Sequence, residues 1–146
     1  MKASRLLVLA TLSVTVISCR ADHLGAAAQP GVPAGSPGAL LSGDWGGPHA
    51  ALSAAADGAT LQFDCGRGSI TVPVQLDAQG RFDVAGEYVA QPGGPAAPGD
   101  SGEAARYGGV VSGRQLTLTT TLTATGVSQG PFVLSLGTAP HLLPCS

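Results

Sequence analysis

From Asp44 onward, apolar side chains recur at every second position and show no sustained three-to-four spacing of the kind that marks a helix face. In the stretch from Ser69 to Leu76, Ile70, Val72, Val74 and Leu76 fall on one side and Thr71, Pro73 and Gln75 on the other. Leu61, Phe63 and Cys65 alternate likewise. So do Leu116, Leu118 and Leu122 against Thr117, Thr119, Thr121 and Thr123, and so do Phe132, Leu134 and Leu136. Successive strand residues point to opposite faces, so each run reads as a strand with one buried side, and Pro73 marks an edge or a bulge.

Turn residues separate the runs. Asp57-Gly58 is a two-residue hairpin signal, Asp77 to Gly80 a slightly longer one and Ser112-Gly113 a third. The spacing predicts strands near 49–56, 59–65, 69–76, 81–89, 105–111, 114–124, 130–136 and 140–145. About eight short strands joined this way make an all-β, antiparallel domain, either an up-and-down barrel or a two-sheet sandwich. The widest gap, 91–104, holds four glycines and three prolines and reads as an exposed loop of the sort that often carries function.

The N-terminal region obeys different rules. Lys2 and Arg5 precede an apolar run from Leu6 to Ile17, which is the charged and apolar part of a secretory signal. The run is too short to span a bilayer, which takes about twenty residues. Val16-Ile17-Ser18-Cys19 then resembles the bacterial lipobox. That resemblance implies a signal peptide over 1–18, cleavage before Cys19 and a membrane anchor of acyl chains on Cys19, palmitate among them. Residues 19–42, rich in Pro, Gly and Ala, read as a tether, and 43–146 as the β domain. Export across the inner membrane and attachment to the cell envelope, facing the periplasm or the outside, follow as expectations. With Cys19 acylated, Cys65 and Cys145 remain as a pair in an oxidising compartment and are expected to form a disulfide.

Charge narrows the partners. Past Ser18 the chain has five arginines, no lysine and nine acids, so no positive surface is available for nucleic acid. No metal site is expected, because Cys-x-x-Cys is absent and His23, His49 and His141 lack paired spacing. No cofactor is expected either. Gly99-Asp-Ser-Gly102 resembles the nucleophile motif of trypsin-like serine proteases, but the domain is about half the size such a double barrel needs and the histidine motif is missing. His49 and His141 meet if the first and last strands are neighbours, and Asp44 or Asp57 is then the acid within reach. No catalytic role is assigned to them. Asp64, Asp77 and Asp83 read as solubility charges and turn formers.

Three further resemblances bear on function. Gly43-Asp44-Trp45 resembles the Gly-x-Trp opening of lipocalin-like barrels, which implies that the Trp45 indole plugs one end and makes Trp45 a candidate binding residue. Ser101-Gly-Glu-Ala-Ala-Arg-Tyr107 resembles a loop motif of the membrane-bound C-type lysozyme inhibitors, with two residues inserted and no lysine present for that family's second motif. It implies a binding role for Ser101, Arg106 and Tyr107. The span from Asp44 to Ser146 is similar to high-GC bacterial lipoproteins with a Trp-Gly-Gly start and a terminal cysteine. The expectation is a non-enzymatic binding module for a small apolar ligand or an envelope protein. An inhibitor of a host or competitor hydrolase is the alternative, and a hydrolase with an unrecognised site the third.

Overall fold

Eight antiparallel strands carry the alternation: β1 (Gly43–Gly47), β2 (Ala50–Ala55), β3 (Gly58–Phe63), β4 (Gly66–Ile70), β5 (Arg81–Ala90), β6 (Glu103–Ser112), β7 (Gln115–Leu122) and β8 (Ser128–Leu136). Each pairs with the next, and β8 returns to β1 through Trp45 opposite Leu136 and Gly46 opposite Ser135. The sheet is therefore a closed up-and-down barrel, not a sandwich. The computed structural model describes residues 38–91 and 102–145.

Two expected strands are corrected and one strand is added. β1 was not foreseen, because four of its five residues are Gly or Asp and only Trp45 carries an apolar signal. The expected strand 69–76 is a strand only to Ile70. Beyond it the chain leaves the ladder, and Val72, expected inside, is 47% exposed while Val74 and Leu76 are buried. Residues 140–145 form no strand; they lie against the barrel through one parallel bridge, His141 to Pro48.

The interior is filled by large side chains seated over glycines. Trp45, Tyr107, Leu52, Leu61, Leu116, Leu118 and Leu134 are fully buried, with Phe63, Phe82 and Tyr88 nearly so. Register explains how they fit. Tyr88 faces Gly68, and Phe82 faces Gly109. A Cβ at Gly66 would strike the Tyr88 hydroxyl, one at Gly68 the Tyr107 hydroxyl, and one at Gly109 the Phe82 ring. A strand glycine gives up side-chain packing, and here the freed space is taken by an aromatic ring from the next strand, or, for Tyr107 over Gly68, from the strand beyond it. Phe63 also packs on Tyr88 and Phe132 with ring centroids 5.8 and 5.3 Å apart.

The two ends of the barrel differ. Odd-numbered strands run from the end where the chain comes in at Gly38, here the proximal end, toward the distal end. The proximal end is closed by the connection between β4 and β5, which pairs with the incoming chain. Leu41 N–H donates to Val74 O at 2.8 Å, Leu76 N–H to Ala39 O at 2.8 Å and Gly38 N–H to Leu76 O at 3.0 Å. Leu41, Val74 and Leu76 thereby become buried. The Trp45 Nε1–H donates to Ser42 O at 3.1 Å, giving the buried indole its partner. The distal end holds the β1–β2 and β3–β4 turns and the β7–β8 connection, and both flanks of 92–101 emerge there.

Candidate functional site

The distal end gathers polar chemistry from three parts of the chain. Pro48-His49 closes the β1–β2 hairpin, and His49 sits at φ 68°, a left-handed conformation that glycine or asparagine ordinarily supplies. Holding another residue there costs on the order of 1 kcal/mol. Two contacts hold it. His49 N–H donates to His141 O at 2.9 Å, and the imidazole Nδ1 lies 2.6 Å from Asp64 Oδ2.

Asp64 links this hairpin to the end of the chain. Its other oxygen, Oδ1, accepts the Leu143 N–H at 2.7 Å. That main-chain bond holds the carboxyl below its ordinary value of 3.8; partial desolvation opposes the effect, and the His49 hydrogen bond adds to it. Beside Asp64, Cys65 is bonded to Cys145 across a Cα–Cα distance of 5.5 Å and a sequence separation of 80. The expected disulfide thus forms, and it fastens residues 137–145 as a strap along the outside of β1. Gly137 N–H donates to Asp44 O at 2.7 Å and His141 N–H to Gly47 O at 3.0 Å. The strap lies so close that a Cβ at Gly46 would collide with the Thr138 carbonyl.

His49 and His141 therefore meet through their main chains, as the sequence allowed. The acid is neither Asp44 nor Asp57. Asp44 accepts from Ser53 Oγ at 2.6 Å, and Asp57 lies in the β2–β3 turn at the proximal end. In sequence Asp64 reads as a solubility charge, and only its adjacency to Cys65 signals that the chain end arrives there. Asp77 is the turn former expected, accepting from the Gln79 and Arg81 amides at 2.9 and 2.8 Å. Asp83 pairs with Arg106 across β5 and β6, with Nη2 to Oδ1 at 2.8 Å.

The residues singled out for binding do not converge. Arg106 points outward and Trp45 is in the core. Tyr107 is 0% exposed, out of reach of a partner: the alternation of β6 turns it inward, where its hydroxyl donates to Glu87 O at 2.7 Å. Burial pushes its pKa from 10.0 up to about 12. Ser101, the rest of Gly99-Asp-Ser up to Gly102, and Cys19 lie outside the described residues. No family model, curated protein or solved structure matches this chain. Among the described residues, no three His, Cys, Asp or Glu side chains are placed to hold a metal ion.

Concave surface lies on the outside of the barrel. A groove of about 810 Å³ crosses the outer face of β5, β6 and β7, walled by Gln75 to Asp77 and floored by Gly108, Val110, Thr117 and Thr119. Gly108 leaves the floor flat, since only the Phe82 carbonyl lies within 4 Å of where its Cβ would be.

Proposed function

We propose that this chain is a non-enzymatic binding module, held to the bacterial envelope by acyl chains on Cys19, whose barrel recognises another envelope protein through its distal end. The observation that carries the reading is the filled interior. A small-molecule carrier needs a hollow barrel, whereas here Trp45, Tyr107 and five leucines of the strands are fully buried inside, which favours the outer surface for recognition. The chain comes in at Gly38 on the proximal end, so a tether from Cys19 presents the opposite end outward. That end carries the His49–Asp64 pair, the end of the strap at Cys145 and both flanks of the 91–104 segment. β5 has 10 residues, so the two ends are separated by about 30 Å of strand at roughly 3.3 Å per residue.

A second reading, capture of a small apolar ligand, draws on the outer groove, where Leu76, Phe82 and Val110 supply apolar surface.

Site-specific photocrosslinking in intact cells tests the first reading. A photoreactive residue at Gln91, on the distal end, is expected to give a discrete protein adduct that one at Asp57, on the proximal end, does not. Equal labelling from both positions, or none from Gln91, overturns it. A native mass of the detergent-released protein that includes a bound small molecule replaces it with the second reading.

A further inference from the structure

The barrel is closed by pairing order, but one of its seams is open along half its length. β4 pairs with β5 only from Gly66 to Ser69, opposite Ala90 to Glu87. The chain then leaves β5 to close the proximal end and returns at Asp77, whose N–H donates to Arg81 O at 2.8 Å. Between these points, Phe82 to Gly86 has no strand on its β4 side. No turn or loop hydrogen bond among the described residues reaches its main chain there.

The direction of the unpaired groups follows from alternation. In an antiparallel ladder each residue turns both its N–H and its C=O to one neighbour, and successive residues alternate. Arg81 uses its carbonyl toward Asp77, so Asp83 and Ala85 point to the same, open side, while Phe82 and Val84 point to β6. Asp83 and Ala85 are also exposed. At the distal limit of the gap, the Tyr107 hydroxyl takes the Glu87 carbonyl. What is left is a row of two donors and two acceptors at strand spacing. Proteins usually blunt such an edge with proline, a bulge or a cover. The segment Phe82 to Gly86 has no proline, whereas β8, which pairs with β1 at only two positions, carries Pro131 and a register irregularity in its ladder with β7.

We propose that this edge of β5 is a docking site for an extended segment of another protein, which adds as a strand in the gap left by β4. The flanking chemistry sets the partner's pattern. The residue of the incoming strand opposite Ala85 faces solvent between the carboxylates of Asp83 and Glu87, the position opposite Glu87 itself being taken by Ser69. Asp83 is already paired with Arg106, while Glu87 has no ion pair among the described residues. The residue opposite Val84 faces inward, where Val84 packs on the core and the Tyr107 ring lies close over the adjacent Gly86, so only a small side chain fits. The segment that fits alternates basic with small apolar residues. This site is separate from the distal-end reading, and the two fail independently.

Amide hydrogen exchange of the mature protein in mild detergent tests it, with acetyl-(Lys-Val)4-amide as the probe. In the free protein the Asp83 and Ala85 amides are expected to exchange fast and the Phe82 and Val84 amides slowly. Added peptide is expected to slow Asp83 and Ala85 by at least about tenfold, the order expected when exposed amides gain hydrogen bonds. The (Glu-Val)4 counterpart is expected not to. Ala85→Pro removes a donor that no bond inside the protein uses, so it is expected to keep Phe82 and Val84 protected and to abolish the peptide effect. Slow exchange at Asp83 and Ala85 without peptide overturns the proposal, as does an effect of peptide confined to other amides. Protection that rises with protein concentration alone makes the occupant a second copy and overturns the heterologous partner. Equal protection by the Glu peptide overturns the charge preference. The exchange pattern of the unsubstituted protein decides the open edge even if Ala85→Pro does not fold.

Discussion

Replacing Gly68 by alanine places a methyl group where the Tyr107 hydroxyl sits, with the ring carbon that bears it only 2.8 Å from the new Cβ. Tyr107 is fully buried, so its ring cannot yield by swinging into solvent. Overpacking of this kind costs about 1–3 kcal/mol. Displacing the hydroxyl also loses its bond to Glu87 O, about 1 kcal/mol more, and the better backbone entropy of alanine returns roughly 0.5–1 kcal/mol. The sum is a loss of about 1–3.5 kcal/mol, centred near 2. In urea, with the disulfide intact, a domain of this size has a slope of about 1–1.5 kcal/mol per molar, so the midpoint is expected to fall by roughly 2 M with the slope unchanged. The cause is tested by adding Tyr107→Phe, which removes the atom in the way. The double variant is expected to be more stable than the two single losses predict, by at least about 1 kcal/mol. A midpoint within about 0.3 M of the parent for Gly68→Ala, or strict additivity with Tyr107→Phe, refutes the account of rings seated over glycines.

Thr120 is 0% exposed and its hydroxyl has no partner, so Thr120→Val is expected to stabilise the protein by about 1 kcal/mol in the same urea assay; a loss of stability contradicts it. Joint replacement of Cys65 and Cys145 by serine is expected to cost roughly 4 kcal/mol, the chain-entropy value for a closure of 80 residues, and an unchanged melting temperature would sink that expectation. Asp64 has a folded pKa below its ordinary 3.8, so its hold on the strap is fully present above that value and is lost as pH falls through the lowered one. Protection of the Leu143 amide is therefore expected to fall in acid, and Asp64→Asn, which keeps an acceptor oxygen but does not titrate, is expected to flatten that dependence. An identical acid profile in both proteins shows that another group holds the strap.

Most of the barrel was legible where strands carry alternating leucine, valine and threonine, as in β3, β7 and β8. Legibility failed where glycine is the structural residue. The glycine that receives an aromatic ring leaves no hydrophobic mark in sequence, so β1 and the first half of β4 were invisible, although Gly66 and Gly68 decide how Tyr88 and Tyr107 pack. In sequence Pro73 reads as an edge or bulge signal. It stands where the chain abandons the ladder altogether, so Val74 and Leu76 keep the expected burial while closing the proximal end instead of extending a strand. At the distal end the disulfide was foreseen, but the role of Asp64 depends on the chain end folding back beside it, and contact between positions 64 and 143 has no local signature.

The meander also sets an order of events during folding. Seven of the eight strand pairs join neighbours in sequence, whereas the eighth brings together Trp45 and Leu136, more than ninety positions apart, and contributes two paired positions. Contacts so distant and so few form last, because the loss of chain freedom precedes any compensating contact. Oxidation of Cys65 and Cys145 changes that search. It replaces the long route between Trp45 and Leu136 with one through the bridge about a third as long, which lowers the entropy of closure by about 1 kcal/mol. An oxidant acting before the last seam is made therefore speeds the closing of the barrel, in addition to stabilising it once closed.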